Sequence, residues 1–149
     1  MSSVVKNGFT LIEIMVVLGI IALMLAVVPP LLGNSIDHSR MKSATRQLAA
    51  GLKLARINAI NSREETTLVL DTKHSTYKLG DTEKILGLPK DASLLLTTAQ
   101  SEQLDEDTGA IRFFADGSST GGQVKLSLKD RYQYIVNVNW LTGKVTISP

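Results

Sequence analysis

The chain opens with one continuous apolar stretch, FTLIEIMVVLGIIALMLAVVPPLL, at residues 9–32. Thr10 and Glu13 are its only strongly polar side chains, and no charged residue occurs from Ile14 to Leu32. That length approaches the roughly 20 residues that a helix needs to cross a bilayer. A core helix of a globular domain would instead alternate apolar and polar faces. The pattern therefore predicts a membrane-inserted helix over residues 9–32.

Two adjacent prolines, Pro29 and Pro30, interrupt the apolar helix near its end. Each removes a backbone donor and clashes with the preceding turn, which predicts a kink or local unwinding at this point. The alternative is that the helix ends at Val28. We favour the kink because a second helical pattern resumes within a few residues.

The second helical pattern is amphipathic and is predicted for residues 33–63. Its apolar positions recur at three- and four-residue steps; they are Met41, Ala44, Leu48, Leu52, Ala55 and Ala59. Its polar face is basic: Arg40, Lys42, Arg46, Lys53, Arg56 and Arg63. Three interpretations of that face stay open: a solvated surface, contact with anionic headgroups or acidic neighbouring subunits, and nucleic-acid binding, which the lack of interleaved aromatic residues disfavours.

Residues 64–149 have the short alternating runs of an antiparallel β domain. The predicted strands are 66–70, 76–79, 93–98, 111–115, 123–129, 132–139 and 145–148, and the last three are predicted to form a meander. Val124, Leu126 and Leu128 alternate with polar residues, so one sheet face should be buried. The amphipathic helix is the natural cover for that face, which predicts an α+β class with the helix packed on the sheet.

Composition adds limits rather than a function. The 149 residues have a net charge of +2, which is too balanced to indicate nucleic-acid binding by itself. The absence of cysteine excludes disulfides, metal thiolates and a cysteine nucleophile. His38 and His74 lie in no zinc-type or triad-type setting, so we expect no catalytic residue, no metal site and no cofactor.

The segment from Lys6 to Glu13, KNGFTLIE, resembles the leader and cleavage site of type IV pilins and type II secretion pseudopilins. The resemblance implies a leader at residues 1–8, cleavage between Gly8 and Phe9 by a prepilin peptidase, and N-methylation of Phe9. A lone carboxylate in a membrane helix costs roughly 2.5–3.5 kcal/mol, so Glu13 should have a partner. In the family that partner is the N-terminal amine of a neighbouring subunit, which gives Glu13 a role in assembly.

A second resemblance comes from residues 111–122, IRFFADGSSTGG, and residues 140–145, WLTGKV. Together with residues 48–62 they are similar to the H-type minor pseudopilin of type II secretion, the GspH/FimT-like family. This implies a type IV pilin-like fold and a structural subunit, not an enzyme, near the tip of a periplasmic pseudopilus used in protein export. Implied partners are the other minor pseudopilins, the major pseudopilin, the prepilin peptidase, the assembly platform and inner-membrane lipid.

The resemblance also implies a location and an alternative. The N-terminus would stay in the cytoplasm, in line with Lys6 and the positive-inside rule, and the head would be periplasmic. The alternative is a minor pilin of a type IV pilus that binds DNA during uptake, a branch expected to have a Gly-Arg-x-Arg motif. Gly143-Lys144-Val145-Thr146 has one base there, which disfavours nucleic acid, although Lys125, Lys129, Arg131 and Lys144 are candidates for a weak basic patch.

Three further features have an ordinary and a functional interpretation. The Gly- and Ser-rich loop at residues 114–122 is either a hairpin connection, which we favour, or a phosphate cradle, although it lacks the spacing of one. Trp140 is predicted to pack in the core or at an interface. Acidic residues between strands are either a solvated loop, which we favour, or a calcium site; they are Glu102, Asp105, Glu106 and Asp107.

Overall fold

The computed structural model describes residues 9–80, 82, 84–129 and 131–149, and within residues 27–35 it describes the backbone but not the side chains. The predicted leader, including Gly8, lies outside the described residues. The chain divides into two compact units, Met1–Ile36 and Asp37–Pro149. The boundary between them falls inside the first helix.

That helix, α1, runs from Leu11 to Ser62 and contributes residues to both units. Its assignment continues through Pro29 and Pro30, so the alternative that the helix ends at Val28 is wrong. The side chains of both prolines lie outside the described set, and the kink stays a prediction. Side chains from Phe9 to Ala26 are exposed in the isolated chain.

Within the part of the chain that the structure describes, no helix is both long enough and apolar enough to span a membrane.

The described part of the second unit contains eight strands after α1. They are β1 (Thr66–Asp71), β2 (Thr76–Leu79), β3 (Ile85–Gly87), β4 (Ser93–Thr98), β5 (Thr108–Phe113), β6 (Gly122–Leu128), β7 (Tyr132–Val138) and β8 (Val145–Ser148). They form two four-stranded sheets with the orders β3-β2-β1-β5 and β4-β6-β7-β8. Neighbouring strands are antiparallel in both sheets, and a short 3₁₀ turn, Gln100–Glu102, lies between β4 and β5.

The strand predictions are confirmed where apolar and polar residues clearly alternate. They are wrong where only pairing with a neighbouring strand determines that a segment is a strand. The β6-β7-β8 meander and the buried face of β6 are confirmed. β3 was missed, because only its pairing with β2 makes an exposed three-residue run into a strand. β5 begins at Thr108 rather than Ile111, since Gly109 and Ala110 pair with β1 despite their low β-propensity.

The core lies between the second part of α1 and both sheets. The predicted helix stripe is confirmed, and its six side chains are all buried. It packs in one cluster with residues of the first sheet, such as Leu68 and Phe113, and of the second, such as Val124 and Val136. Alanine at several stripe positions lets the helix approach the strands closely, and burying each large side chain adds about 1.5–3 kcal/mol.

An ion-pair network joins β5 of the first sheet to Glu65, just before β1, and to Glu102, in the 3₁₀ turn. Arg112 of β5 donates from Nε to Glu102 Oε1 at 3.0 Å and from Nη1 to Glu65 Oε2 at 2.7 Å. The Glu102 side chain is only 7% exposed, whereas that of Glu65 is 53% exposed. Hydrogen bonding to Glu102, then to Glu65, raises the pKa of Arg112 above its usual value.

We expect the two carboxylates to differ in their contribution to stability. Glu102→Gln should lower the free energy of unfolding by about 1–3 kcal/mol, because it weakens a buried charge-assisted pair. Glu65→Gln, the control at the exposed end of the same arginine, should cost only about 0–1 kcal/mol. Urea denaturation of both variants measures the difference. Equal losses would show that burial of Glu102 does not strengthen its pair.

Candidate functional site

The N-terminal end of α1 is the first candidate site, and its geometry gives Glu13 a local role. The Glu13 amide donates to Thr10 O at 3.1 Å and to Thr10 Oγ1 at 3.3 Å. Thr10 therefore caps the helix, and Glu13 occupies the third helical position of a Thr-x-x-Glu capping pattern. A carboxylate there also interacts favourably with the positive end of the helix dipole.

Glu13 is surrounded by exposed apolar side chains. Phe9, Leu11, Ile12 and Met15 each expose more than half of their surface in the isolated chain. A continuous apolar surface of this kind normally marks a contact with lipid or with another protein. The described geometry thus places the predicted cleavage residue Phe9 and the predicted assembly residue Glu13 within one turn of an uncovered helix end.

The second unit offers a different feature, a junction built around Arg56 of α1. The Arg56 side chain donates from Nε to the Gly117 carbonyl at 2.9 Å. Gly143, in the turn between β7 and β8, packs so tightly on Arg56 and Gly117 that a Cβ there would overlap both. Arg56 thus joins the 114–122 loop to the 139–144 turn, and the two C-terminal motif segments meet on the helix.

The 114–122 loop uses its own amides internally. The amides from Gly117 to Gly121 all donate to protein acceptors: Phe114 O, Asp116 Oδ1, Trp140 O, Arg112 O and Ser119 Oγ. Hydrogen bonds from the Ser118 hydroxyl and amide lower the pKa of Asp116. Because a phosphate cradle needs free amides, that interpretation is wrong. The favoured hairpin connection is wrong as well, because the loop leads from β5 in one sheet to β6 in the other, and these two strands do not pair.

The 139–144 turn is held rigidly and presents two apolar side chains. Asn139 Oδ1 accepts from the Leu141 amide, the Thr142 amide and the Thr142 hydroxyl at 3.0–3.1 Å. The Gly143 amide donates to Asn139 O at 2.8 Å. Trp140 is 65% exposed and Leu141 63% exposed. Of the two predicted settings for Trp140, the core is therefore wrong, and packing at an interface stays a prediction.

The predicted basic patch is not assembled as one surface. Lys125 is half-buried in the middle of β6, and Lys129 and Arg131 flank the turn that joins β6 to β7. Lys144 precedes β8 and lies beside Asn139, beyond the opposite end of β7. The seven residues of β7 separate the two ends by about 20 Å.

Lys129 is also engaged inside the unit. Its Nζ atom lies 2.8 Å from Asp37 Oδ2, and that hydrogen bond raises the pKa of Lys129. Next to it, the Tyr134 hydroxyl lies 3.0 Å from Nε2 of His38, and the His38 and Tyr132 rings are 5.4 Å apart. These contacts attach the beginning of the helical segment of the second unit to the β6–β7 hairpin.

The remaining candidates are local structural features. His74 Nδ1 lies 2.7 Å from Asp71 Oδ2, and the His74 amide hydrogen bond lowers the pKa of Asp71. The Glu102 carboxylate accepts a hydrogen bond from Arg112. It is therefore engaged in an ion pair and not in a site shared with Asp105, Glu106 and Asp107. Among the described residues, no group of three or more His, Asp or Glu side chains is placed to hold a metal ion.

The sequence reasoning missed Arg56 and Asn139. In the sequence pattern Arg56 is only one member of a basic helix face, and Asn139 is only the end of a predicted strand. The sequence signal is indirect: Gly117 and Gly143 both follow turn-forming residues. The structure adds that both have positive φ, at 84° and 60°. The motif segments were therefore identified correctly, but their meeting point on the helix was not.

Two known protein families match this chain. The family described as type II transport protein GspH matches residues 44–143, and the prokaryotic N-terminal methylation motif matches residues 5–29. A type II secretion system protein H from Xanthomonas campestris pv. campestris is 34% identical over 148 residues, covering 96% of this chain and 83% of that protein. A fimbrial protein from Pseudomonas aeruginosa is 30% identical over 121 residues, covering 80% and 74%.

Solved structures show the same fold at low sequence identity. The type IV minor pilin FimU of P. aeruginosa has a TM-score of 0.58 at 14% identity, covering 76% of this chain and 91% of its own. The minor pseudopilin EpsH of the Vibrio cholerae type 2 secretion system has a TM-score of 0.58 at 13% identity, covering 73% and 96%. The predicted type IV pilin-like α+β fold is confirmed.

The junction around Arg56 makes a prediction about two glycines. Gly143→Ala should destabilise the chain by about 1–3 kcal/mol more than Gly80→Ala, because overlap with Arg56 and Gly117 adds to the backbone strain. Gly80 is the matched control, since its φ of +53° resembles the +60° of Gly143 but a Cβ there would meet only Thr66 Cγ2 at 3.9 Å. Thermal or urea unfolding compares them. Equal destabilisation by the two substitutions would show that the contact of Gly143 with Arg56 and Gly117 does not contribute to stability.

Proposed function

The chain belongs to the GspH family of type II transport proteins, and from that premise we infer that it is a minor pseudopilin of a type II secretion system. Its role is structural: a subunit of the periplasmic pseudopilus that serves protein export. The observation that supports this most strongly is 34% identity to a type II secretion system protein H along almost the whole chain. The N-terminal methylation motif over residues 5–29 supports it independently.

The proposed assembly mechanism uses the exposed N-terminal part of α1. Prepilin peptidase would cut between Gly8 and Phe9, and methylation of the new amine would follow. The exposed apolar side chains from Phe9 to Ala26 would then pass from lipid to the helices of neighbouring subunits. Both surroundings are apolar, so packing and polar pairing, rather than the hydrophobic effect, would select the filament.

Glu13 supplies the polar pairing in this proposal. Its carboxylate would pair with the methylated amine of a neighbouring subunit, because a charge in an apolar setting needs an opposite charge. The capping position seen at Thr10 and Glu13 is compatible with this role, since the capping bond uses the Glu13 amide and leaves the carboxylate available. The amide is present whatever the side chain, whereas the pairing needs the carboxylate, so substitution of the side chain tests the pairing.

Partners and location follow from the same proposal. The other minor pseudopilins and the major pseudopilin would be neighbours in the pseudopilus, and the inner-membrane assembly platform would load the subunit. The N-terminus would be cytoplasmic and the head periplasmic, with α1 anchored in the inner membrane until assembly. The DNA-uptake alternative is not favoured, because the four basic residues that would serve it are spread along a sheet: Lys129 and Arg131 at one end, Lys125 in the middle of β6, and Lys144 beyond the other end.

The first experiment is mass spectrometry of the mature N-terminus, isolated from membranes with an active prepilin peptidase. We expect a chain that begins at N-methylated Phe9. A parallel sample without the peptidase is the control and should retain residues 1–8. A chain that keeps residues 1–8 in both samples, or is cut beyond Leu25, would contradict the proposed processing and the filament role with it.

The second experiment separates the charge of Glu13 from its capping position. Glu13→Ala and Glu13→Gln should both be cleaved normally but enter the pseudopilus about tenfold less often, since each loses the charge pair. Glutamine is the informative variant, because it can still complete a capping box. Quantified pseudopilus incorporation and secretion measure the effect. Normal assembly of Glu13→Gln would show that the charge of Glu13 is not needed, and would overturn the proposed pairing.

A further inference from the structure

The outer face of α1 in the second unit has a regular pattern that the head does not use. Six positions are separated by alternating four- and three-residue steps and are all exposed: Ser43, Gln47, Ala50, Leu54, Ile57 and Asn61. We call them the outer seam. They lie on the side of the helix away from the buried stripe, because the two sets are offset by about half a turn.

The outer seam has the spacing of a helix-packing surface. Alternating three- and four-residue steps give the 3.5-residue period with which one helix packs along another. The seam contains no charged residue, and small side chains such as Ser43 and Ala50 permit close approach. Leu54 is 48% exposed and Ile57 50% exposed, so the seam presents apolar surface without a partner in the isolated chain.

The charges beside the seam decide what kind of helix fits. Lys42, Arg46 and Lys53 line one flank of the seam, and all three are exposed. Arg40 and Arg56 belong to the same helix, whereas residues 38–62 contain no acidic residue. A second copy of this chain would place like charges along the contact, which opposes association. Acidic residues flanking the partner's seam would instead be attracted.

We propose that the outer seam docks the helix of a different pseudopilin, one with small and apolar residues at the same spacing and Asp or Glu on the flank that meets Lys42, Arg46 and Lys53. This deepens, and rests on, the proposed function of the chain as a minor pseudopilin. The head-bearing part of α1 then has two packing faces. The inner stripe holds its own sheets, and the outer seam joins a heterologous subunit.

An anionic lipid surface is the alternative binding partner of the outer seam, and it would require different residues. Headgroups would use the charges of Lys42, Arg46 and Lys53 but would not require uncharged side chains at a helical packing period. Lipid binding would therefore depend on the lysines and arginine, and would be insensitive to polar substitution at Leu54 and Ile57. A partner helix depends on both sets.

The test titrates the full chain in detergent micelles with each of the other pseudopilins of its own secretion system, purified singly. The double variant Leu54→Gln, Ile57→Gln should weaken binding to one of them by about tenfold or more. The matched control, Leu95→Gln with Leu104→Gln, changes two leucines away from α1 that are somewhat more exposed than Leu54 and Ile57, and it should bind as wild type. Unfolding curves confirm that each variant is folded.

A second arm tests the charges. Lys53→Glu should weaken the same complex about tenfold and reduce its salt dependence, and an Asp or Glu to Lys change on the partner's flank should restore binding. Lys78→Glu, an exposed lysine on β2, is the control and should have no effect. Failure of Lys53→Glu to alter binding would overturn the charge part of the proposal.

The outcomes also separate this inference from the proposed function. If the seam variants bind another pseudopilin as tightly as the wild-type chain does, the outer seam is not the docking surface, and the proposed function stays intact. A chain that binds none of them would count against both. Two other results would overturn the proposal that the seam docks the helix of a different pseudopilin. One is self-association through the seam. The other is binding to phosphatidylglycerol vesicles that Lys53→Glu abolishes and the Leu54 and Ile57 double variant retains.

Discussion

The head depends on one contact: a helix stripe of small and large apolar residues is buried against both sheets. Alanine at positions 44, 55 and 59 lets the helix approach, while Met41, Leu48 and Leu52 fill the space between the strands. A bulkier stripe would hold the sheets away from the helix, since interiors pack at crystal-like density. The same contact sets the helix rotation and so determines which residues face outward.

The polar contacts refine this arrangement rather than create it. Asp37 and Lys129 attach the beginning of the head's helical segment to the second sheet, and Arg56 attaches its far part to two glycine-containing turns. These contacts connect residues 61–92 positions apart in the chain. Each adds little energy by itself, but together they position the rigid 139–144 turn with its exposed Trp140.

A single helix thus serves two kinds of packing. From Phe9 to Ala26 the side chains are exposed in the isolated chain, and apart from Thr10 and Glu13 they carry no strongly polar group, as suits a helix surrounded by lipid or by other helices. The second part of the helix is amphipathic: the apolar stripe packs against the sheets of the head, and the outer seam is exposed. The pseudopilin function that we propose uses the first part for filament assembly, and the outer seam extends helix packing to the second part.

The sequence by itself determined the apolar stretch, the helix stripe at Met41 to Ala59, the β6-β7-β8 meander and the family motifs, because periodicity and local turn chemistry are written in neighbouring residues. Only the tertiary structure decided the rest. β3 exists through its pairing with β2, Arg56 gains its role from glycines far along the chain, and the basic residues of the supposed patch are divided by the register of one sheet. These outcomes depend on contacts between distant residues, which no local pattern specifies.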